Sequence, residues 1–210
     1  MPNQKTILIT GGTGKLGSVF VKHFLSLGHI VIFTSTNPDT VDRVIAESKL
    51  EWNQKLYGVA VDLLDETSIT TIVDFLLQHR LQPNCLVNNA RNMGNLKVEQ
   101  LPVPRKNWLN EFTINVIAAY ELSLALANMA ESKLENIINI ASMYGVVPFH
   151  LDLYHFDEKQ APIHYSTTKA ALIHLTKELS IRFAPKGIRV NSISYGGVEG
   201  RGAGLGAEQQ

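Results

Sequence analysis

The residues with the clearest chemical potential are Tyr165 and Lys169, which are four positions apart. On a helix these side chains lie on one face, one above the other, so the ammonium can act on the phenol. A free phenol ionises only near pH ~10, and a nearby positive charge is needed to favour the phenolate at neutral pH. The pair therefore predicts a proton donor or acceptor, although alone it is more often an exposed helical pair.

A glycine-rich turn follows the first apolar segment. Lys5-Thr-Ile-Leu-Ile-Thr10 predicts a buried parallel strand, and it runs into Gly11, Gly14 and Gly17 before an amphipathic stretch. Such a turn can cradle a pyrophosphate, because glycines allow close approach and the unpaired N–H groups of a helix start face the anion. The alternative is a purely structural turn. A Walker-type site is disfavoured, since Leu16 stands where a magnesium-binding Ser or Thr is required.

The end of the second predicted strand bears on the choice of cofactor. An acidic residue there would hydrogen-bond a free ribose hydroxyl and repel a phosphate, but the sequence has Ser35, Thr36 and Asn37. These residues slightly favour NADP over NAD. They could equally begin the loop before Pro38.

Four further polar residues stand at strand ends or within a helix. Asp62 and Asn89 follow apolar runs, where they could meet the adenine and the ribose of a dinucleotide or simply form caps and turns. Ser142 closes a third apolar run, at a position where an isolated serine is more often a cap. Asn115 lies in the middle of a predicted helix, which is unfavourable unless its amide has a role such as an interhelical hydrogen bond or a kink.

Together these segments resemble the short-chain dehydrogenase/reductase family, in its compact single-domain form, nearly from end to end. Thr10 to Gly17 resembles the cofactor motif of that family, and Asn88-Asn-Ala90 resembles its sheet-stabilising motif. Asn115, Ser142, Tyr165 and Lys169 match the residue types and order of its catalytic tetrad. The segments Ser142 to Gly145 and Pro162 to Tyr165 resemble bacterial members associated with surface-glycan and flagellin-glycan synthesis.

The resemblance implies hydride transfer between NAD(P) and a carbonyl or secondary alcohol. A sugar or sugar derivative is one candidate substrate. Tyr165 would exchange the proton, and Lys169 would stabilise the phenolate and hold the nicotinamide ribose. Ser142 would hydrogen-bond the substrate oxygen, and Asn115 would anchor a water. The implied cofactor-binding residues are Gly11, Thr13, Gly14, Lys15, Leu16, Gly17, Ser35, Thr36, Asp62, Leu63, Asn89, Ala90, Tyr165, Lys169 and Val198.

The sequence departs from the family pattern in three places. Lys15 replaces a usual glycine, and could assist phosphate binding or point to solvent. About ten extra residues, Phe149 to Glu158, separate Ser142 from Tyr165 and could form a lid or a specificity loop. The predicted sixth strand, Ile188 to Ile193, is followed only by a glycine-rich end, so a seventh strand and C-terminal helix are expected to be missing.

Composition and periodicity set the fold class. Strands near residues 6, 31, 58, 86, 138 and 190 alternate with helices, which predicts an α/β, Rossmann-like doubly wound parallel sheet of about six strands. We expect one NAD(P)-binding domain over residues 1–200 and a flexible tail over 201–210. The predicted helices Arg105 to Ser132 and Ile163 to Ala184 are rich in apolar residues, which together with the resemblance favours a homodimer or homotetramer.

Other functional classes are disfavoured. The formal net charge of the 210 residues is +0, which argues against nucleic acid as the main partner. No metal site is predicted, because the histidines and acids of the extra segment lack a recognised ligand spacing. Cys85 is expected to be a buried hydrophobe in a reducing compartment. The absence of a signal peptide or membrane-length apolar run predicts a cytosolic protein without membrane partners.

Two functional hypotheses follow. The first is an NAD(P)-dependent oxidoreductase acting on a small-molecule carbonyl or alcohol. The second is a cofactor-binding but catalytically silent assembly subunit, which the shortened C-terminus favours. Retention of all four catalytic residue types favours the enzyme.

Overall fold

A parallel sheet forms the centre of the protein in the computed structural model, which describes residues 4–52, 55–94, 101–149 and 162–198. Within these ranges the sheet has six strands in the order β3-β2-β1-β4-β5-β6, and every pairing is parallel. The strands are β1 (Thr6–Ile9), β2 (Ile30–Ser35), β3 (Leu56–Ala60), β4 (Cys85–Asn88), β5 (Asn136–Ser142) and β6 (Arg189–Tyr195). This order confirms the predicted Rossmann-like doubly wound fold.

Helices connect the strands and cover both faces of the sheet. They are α1 (Lys15–Ser26), α2 (Pro38–Trp52), α3 (Ser68–Gln78), α4 (Arg105–Phe112), α5 (Ala118–Ala127) and α6 (Ile163–Phe183). A parallel sheet with both faces covered favours strands in which apolar residues occupy neighbouring positions rather than alternate ones. β1 shows this directly, because Leu8 belongs to one hydrophobic cluster and its neighbours Ile7 and Ile9 belong to the other.

The helix predicted from Arg105 to Ser132 differs from the observed structure. It is divided into α4, a π-helical segment over Thr113–Ile117, and α5, which ends at Ala127. Asn115 lies in the π-helical segment, where the wider turn displaces the backbone from regular i→i−4 pairing. The prediction of an unfavourable mid-helix asparagine therefore corresponds to a local change of helix type.

A chain of buried polar groups joins the neighbouring strands β4 and β5 to α6. The amide of Asn88 donates to Asn139 Oδ1 at 2.8 Å, and the amide of Asn139 donates to Thr176 Oγ1 at 2.9 Å. The Thr176 hydroxyl in turn donates to the Leu172 carbonyl at 2.8 Å. Because an unpaired buried amide would cost about 1–3 kcal/mol, these bonds fix β4, β5 and α6 relative to one another.

Two further expectations concern single features. Cys85 is buried in β4, and burial together with the Glu135 charge raises the pKa of its thiol to about 12. The thiol is therefore expected to be unreactive.

Across the described ranges, the helices are too short or too polar to cross a membrane. Of the predicted loop over Phe149 to Glu158, only Phe149 lies within the described residues, and the predicted tail over 201–210 lies outside them.

Candidate active site

The glycine turn lies at the carboxyl ends of β1 and β4, where the strand order reverses direction. This is the position at which doubly wound sheets bind ligands. Gly11 has a φ of +65°, which an L side chain rarely adopts, and a Cβ there would lie 2.8 Å from Ala90 Cα. A Cβ on Gly17 would lie 2.2 Å from the Gly11 carbonyl oxygen. These two glycines are therefore required for the turn itself to form.

Gly14 differs from its neighbours because its surroundings are open. A Cβ at this position would approach only the Gly11 carbonyl oxygen, at 3.3 Å. Gly14 also immediately precedes α1, and its carbonyl accepts the Ser18 N–H at 2.8 Å. The free space therefore lies at a helix N-terminus, which is the environment that a pyrophosphate requires.

We predict that Gly14→Val abolishes NAD(P)H binding while the protein remains folded. The valine side chain would occupy the space at the helix start, yet it meets little protein. Fluorescence titration measures the binding, and circular dichroism with the unfolding midpoint monitors the fold. A folded variant that binds NAD(P)H as tightly as the wild type would exclude this cradle.

Hydrogen bonds from β4 hold the turn in place. The side-chain amide of Asn89 donates to the carbonyls of Thr10 and Gly11 at 2.9 and 3.1 Å. The Thr10 hydroxyl accepts the backbone N–H groups of Asn89 and Ala90, both at 3.0 Å. The side chain of Asn89 thus positions the cradle, and Ala90 borders it.

The residues predicted to meet the adenosine half have distinct local roles. Ser35 is buried and its hydroxyl is 3.0 Å from the Thr13 hydroxyl, whereas Thr36 is exposed. Asn37 accepts the Thr40 N–H at the start of α2, so its side chain acts as a helix cap rather than beginning a loop. Asp62 accepts the Leu64 N–H at 3.0 Å and remains half-buried.

Four apolar or basic residues complete the predicted cofactor set. Leu63 is buried in a hydrophobic cluster, and Leu16 packs against the other cluster. The Lys15 ammonium donates to the Val198 carbonyl at 3.0 Å, although the side chain is exposed. Lys15 therefore connects the glycine turn to the segment after β6, across the end of the crevice.

Tyr165 and Lys169 lie one turn apart on α6, and both are buried. The Lys169 Nζ lies 5.8 Å from the centroid of the Tyr165 ring and donates to the Ile140 carbonyl at 2.8 Å. Burial is the main cause that lowers the Lys169 pKa from 10.5 to about 8; the Arg91 charge lowers it further, and the Glu111 carboxylate opposes both. The lysine is thus a largely buried group next to the phenol.

Ser142 is brought to the same helix by a tight turn. It ends β5, and its hydroxyl oxygen accepts the Tyr144 N–H at 3.2 Å. The turn over Met143–Gly145 packs directly on α6, because a Cβ on Gly145 would lie 2.7 Å from the Lys169 carbonyl carbon. With an acceptor position of Ser142 used by the turn, its hydroxyl proton is free to be donated to another oxygen.

Asn115 joins this group through a buried polar cluster. Its amide donates to Glu111 Oε2 at 2.7 Å and to Thr168 Oγ1 at 3.1 Å. Asn115 Oδ1 and Glu111 Oε1 are buried and have no hydrogen-bond partner in the described part of the chain. Asn115 and Lys169 also border a small cavity of about 10 Å³. That volume approaches the minimum for one water, and the unpartnered Asn115 Oδ1 is an acceptor for it.

A family model for short chain dehydrogenases matches residues 5–204. The chain belongs to this family. The match covers the glycine turn, the Asn88-Asn-Ala90 segment and all four residues of the predicted tetrad. The predicted family resemblance is therefore confirmed.

Individual short-chain dehydrogenases agree with this assignment. The chain is 29% identical over 199 residues to the 3-oxoacyl-(acyl-carrier-protein) reductase FabG of Aquifex aeolicus, covering 93% of this chain and 74% of that protein. A short chain dehydrogenase from Leptospira borgpetersenii with bound NAD+ superposes with a TM-score of 0.79 at 27% identity, covering 94% and 73% of the two chains. ElxO with NADP bound gives 0.79 at 26% identity, covering 93% and 75%. The chain is an NAD(P)-dependent oxidoreductase.

Three residues near the tetrad of this short-chain dehydrogenase were missed in the sequence. Glu111 is fully buried beside Asn115, and its spacing of four residues within one helix could have indicated the contact. Gly145 makes the close contact with α6 that no local pattern predicts. The Arg91 guanidinium carbon lies 4.8 Å from the Tyr165 ring centroid, a contact between residues far apart in sequence.

Proposed function

We propose that this enzyme transfers hydride between a nicotinamide cofactor and a carbonyl or secondary alcohol, with Tyr165 as the proton donor or acceptor. The observation that supports this most is the buried Lys169 cation, whose Nζ lies 5.8 Å from the Tyr165 ring centroid. The Ser142 hydroxyl, at the start of the turn that packs against α6, would supply a second group to hold a substrate oxygen.

The residues of the chain fit a dinucleotide. The open space at Gly14 and the N-terminus of α1 would hold the pyrophosphate, and Thr36 and Asp62 would face the adenosine half. Lys169 would hold the nicotinamide ribose together with Tyr165. When bound, the nicotinamide supplies the hydride chemistry, and the protein supplies orientation and proton transfer.

The proton follows a defined route in the reductive direction. Ser142 donates a hydrogen bond to the carbonyl oxygen and orients it towards Tyr165. The Tyr165 hydroxyl gives its proton to that oxygen as negative charge develops there, and the Lys169 ammonium stabilises the phenolate that remains. A water held by Asn115 Oδ1 in the adjacent cavity would then return a proton through Lys169.

We propose a preference for NADP over NAD. The support is the strand end after β2, where Thr36 is exposed and no acidic residue directly follows the strand. A carboxylate at this position would repel the 2′-phosphate. Affinities for NADPH and NADH at matched ionic strength test the preference, and a tenfold advantage for NADH would contradict it.

Two segments, Ser142–Gly145 and Pro162–Tyr165, resemble glycan-associated enzymes. This resemblance supports a sugar derivative as the substrate, and we propose that the enzyme acts in the cytoplasm.

A homo-oligomer is supported by Ile117, Tyr120 and Leu124, which form an exposed apolar stripe on one face of a helix. Sedimentation equilibrium would give a dimer or tetramer, whereas a monomer at micromolar concentration would contradict this part of the proposal.

A panel of ketones, aldehydes and keto sugars tests the reaction class. The purified chain should oxidise NADPH at 340 nm only when a suitable carbonyl compound is present. Gly14→Val, which is expected to lose cofactor binding, serves as the matched control for contaminating reductases. Equal rates for the two proteins would contradict the proposed function.

A further inference from the structure

Arg91 occupies a fixed position at the mouth of the crevice. It directly follows Ala90, whose N–H is held by the Thr10 hydroxyl at 3.0 Å and whose Cα packs against Gly11. The backbone that carries Arg91 is therefore anchored to the glycine turn. The side chain reaches across the crevice from this point, and its guanidinium carbon lies 4.8 Å from the Tyr165 ring centroid.

The Arg91 guanidinium lies within reach of the Tyr165 ring. A cation within about 6 Å of a ring centroid is attracted by the ring, and the guanidinium carbon lies inside this range. The group carries five N–H donors, which can bind a carboxylate or phosphate. Arg91 is exposed, and the ion pairs of the described residues involve Lys5, His174 and Arg182 but not Arg91. A permanently charged fork of donors thus faces the crevice without an acidic partner in the described part of the protein.

The local charge favours an anion at this point. Arg91 and Lys169 are both cations near Tyr165, and their mutual repulsion is one cause of the lowered Lys169 pKa. Among the described residues, the acid that acts on Lys169 is Glu111, which is fully buried and hydrogen-bonded to Asn115. A bound anion would relieve this excess positive charge.

The position of Arg91 distinguishes a substrate anion from the cofactor phosphates. The pyrophosphate is expected at Gly14 and the start of α1, whereas the guanidinium lies over the ring of the proton-transfer residue. We propose that Arg91 is a specificity-determining residue that selects substrates bearing a carboxylate or phosphate close to the reacting carbonyl. This proposal rests on the proposed function, and it names the substrate class: anionic carbonyl compounds, held by a bidentate fork.

Matched pairs of neutral and anionic carbonyl compounds test the proposal. The pairs are methyl pyruvate with pyruvate, methyl acetoacetate with acetoacetate, methyl levulinate with levulinate, and dihydroxyacetone with its phosphate. We expect the wild type to favour at least one anionic member by about tenfold in kcat/KM, as for a charge-assisted bidentate contact. Arg91→Gln should remove that preference, and Arg91→Lys should keep part of it.

Two controls separate this role from others. Arg80→Gln removes the same charge from the opposite end of the sheet, where Arg80 is exposed, and should keep the wild-type preference. The Kd for NADPH of Arg91→Gln should change much less than its kcat/KM for the anionic substrate. A loss of NADPH affinity by the same factor would instead assign Arg91 to a cofactor phosphate and overturn the proposal.

The remaining outcomes are also decisive. Turnover of neutral members without any anionic preference would overturn the role of Arg91 and leave the proposed function intact. If no member is turned over, calorimetric titration of the anionic members into the NADP-loaded protein replaces kinetics. Binding that Arg91→Gln abolishes would support anion selection despite failure of the proposed function, whereas absence of binding would overturn the proposal.

Discussion

Tyr165→Phe is expected to lower turnover by about 100-fold or more while leaving NADPH affinity close to that of the wild type. The substitution removes the transferable proton and keeps the ring, which is buried on α6. The interaction of Arg91 with the ring face should also persist. Steady-state kinetics across the pH range, with fluorescence titration of NADPH, measure both quantities.

Tyr57→Phe provides the matched control for this substitution. Tyr57 is half-buried in β3 and packs edge-on against His79, so its hydroxyl lies outside the proposed proton route. Turnover should remain at the wild-type level. If Tyr165→Phe reduced carbonyls at the wild-type rate and with the same pH dependence, Tyr165 would not be the proton donor.

Lys169→Met is expected to abolish turnover and, in the absence of cofactor, to stabilise the protein at pH 7. The folded-state pKa of Lys169, about 8, lies below its value of 10.5 in the unfolded chain because burial penalises the ammonium. The penalty corresponds to about 3 kcal/mol, and loss of the bond to the Ile140 carbonyl would offset about 1 kcal/mol. The urea unfolding midpoint should therefore increase by an amount equivalent to about 2 kcal/mol.

The pH dependence of this effect has a definite sign. As pH rises from about 8 to 10.5, Lys169 loses its proton in the folded state while the unfolded chain still binds it. The stability of the wild type therefore rises across this window relative to the variant, and the advantage of Lys169→Met should disappear. Lys177→Met, at an exposed position on the same helix, should show no such dependence. A destabilised Lys169→Met at pH 7 would contradict the account of a strained buried cation.

Much of the fold could be predicted because its signals are local. The inner strands of a doubly covered parallel sheet are short apolar runs, as in Ile7, Leu8 and Ile9 of β1, which are followed by the polar Thr10 at the crevice. The order of strands then follows from strand–helix alternation and right-handed crossovers. The apolar composition that follows Arg105 predicts a helix as far as Ser132, whereas the observed helix ends at Ala127.

The site was less accessible to sequence analysis because its geometry depends on contacts across the fold. The Tyr165–Lys169 spacing predicted the shared face of α6, but the link from Lys169 to Ile140 joins a helix to a strand 29 residues earlier. Gly145 is informative only once α6 packs against its turn. Arg91 has no motif of its own, since its position next to Tyr165 arises from the approach of β4 to α6 around the crevice.

Deuterium transfer is the measurement that tests the central claim most directly. NADPH deuterated at the transferred position of the nicotinamide is incubated with the chain and the carbonyl panel, and the products are analysed by mass spectrometry. The proposed mechanism predicts deuterium on the former carbonyl carbon of an alcohol product, formed at least about 100-fold more slowly by Tyr165→Phe. A wild-type chain that binds the labelled cofactor but transfers deuterium to no carbonyl compound would contradict it and favour a catalytically silent subunit.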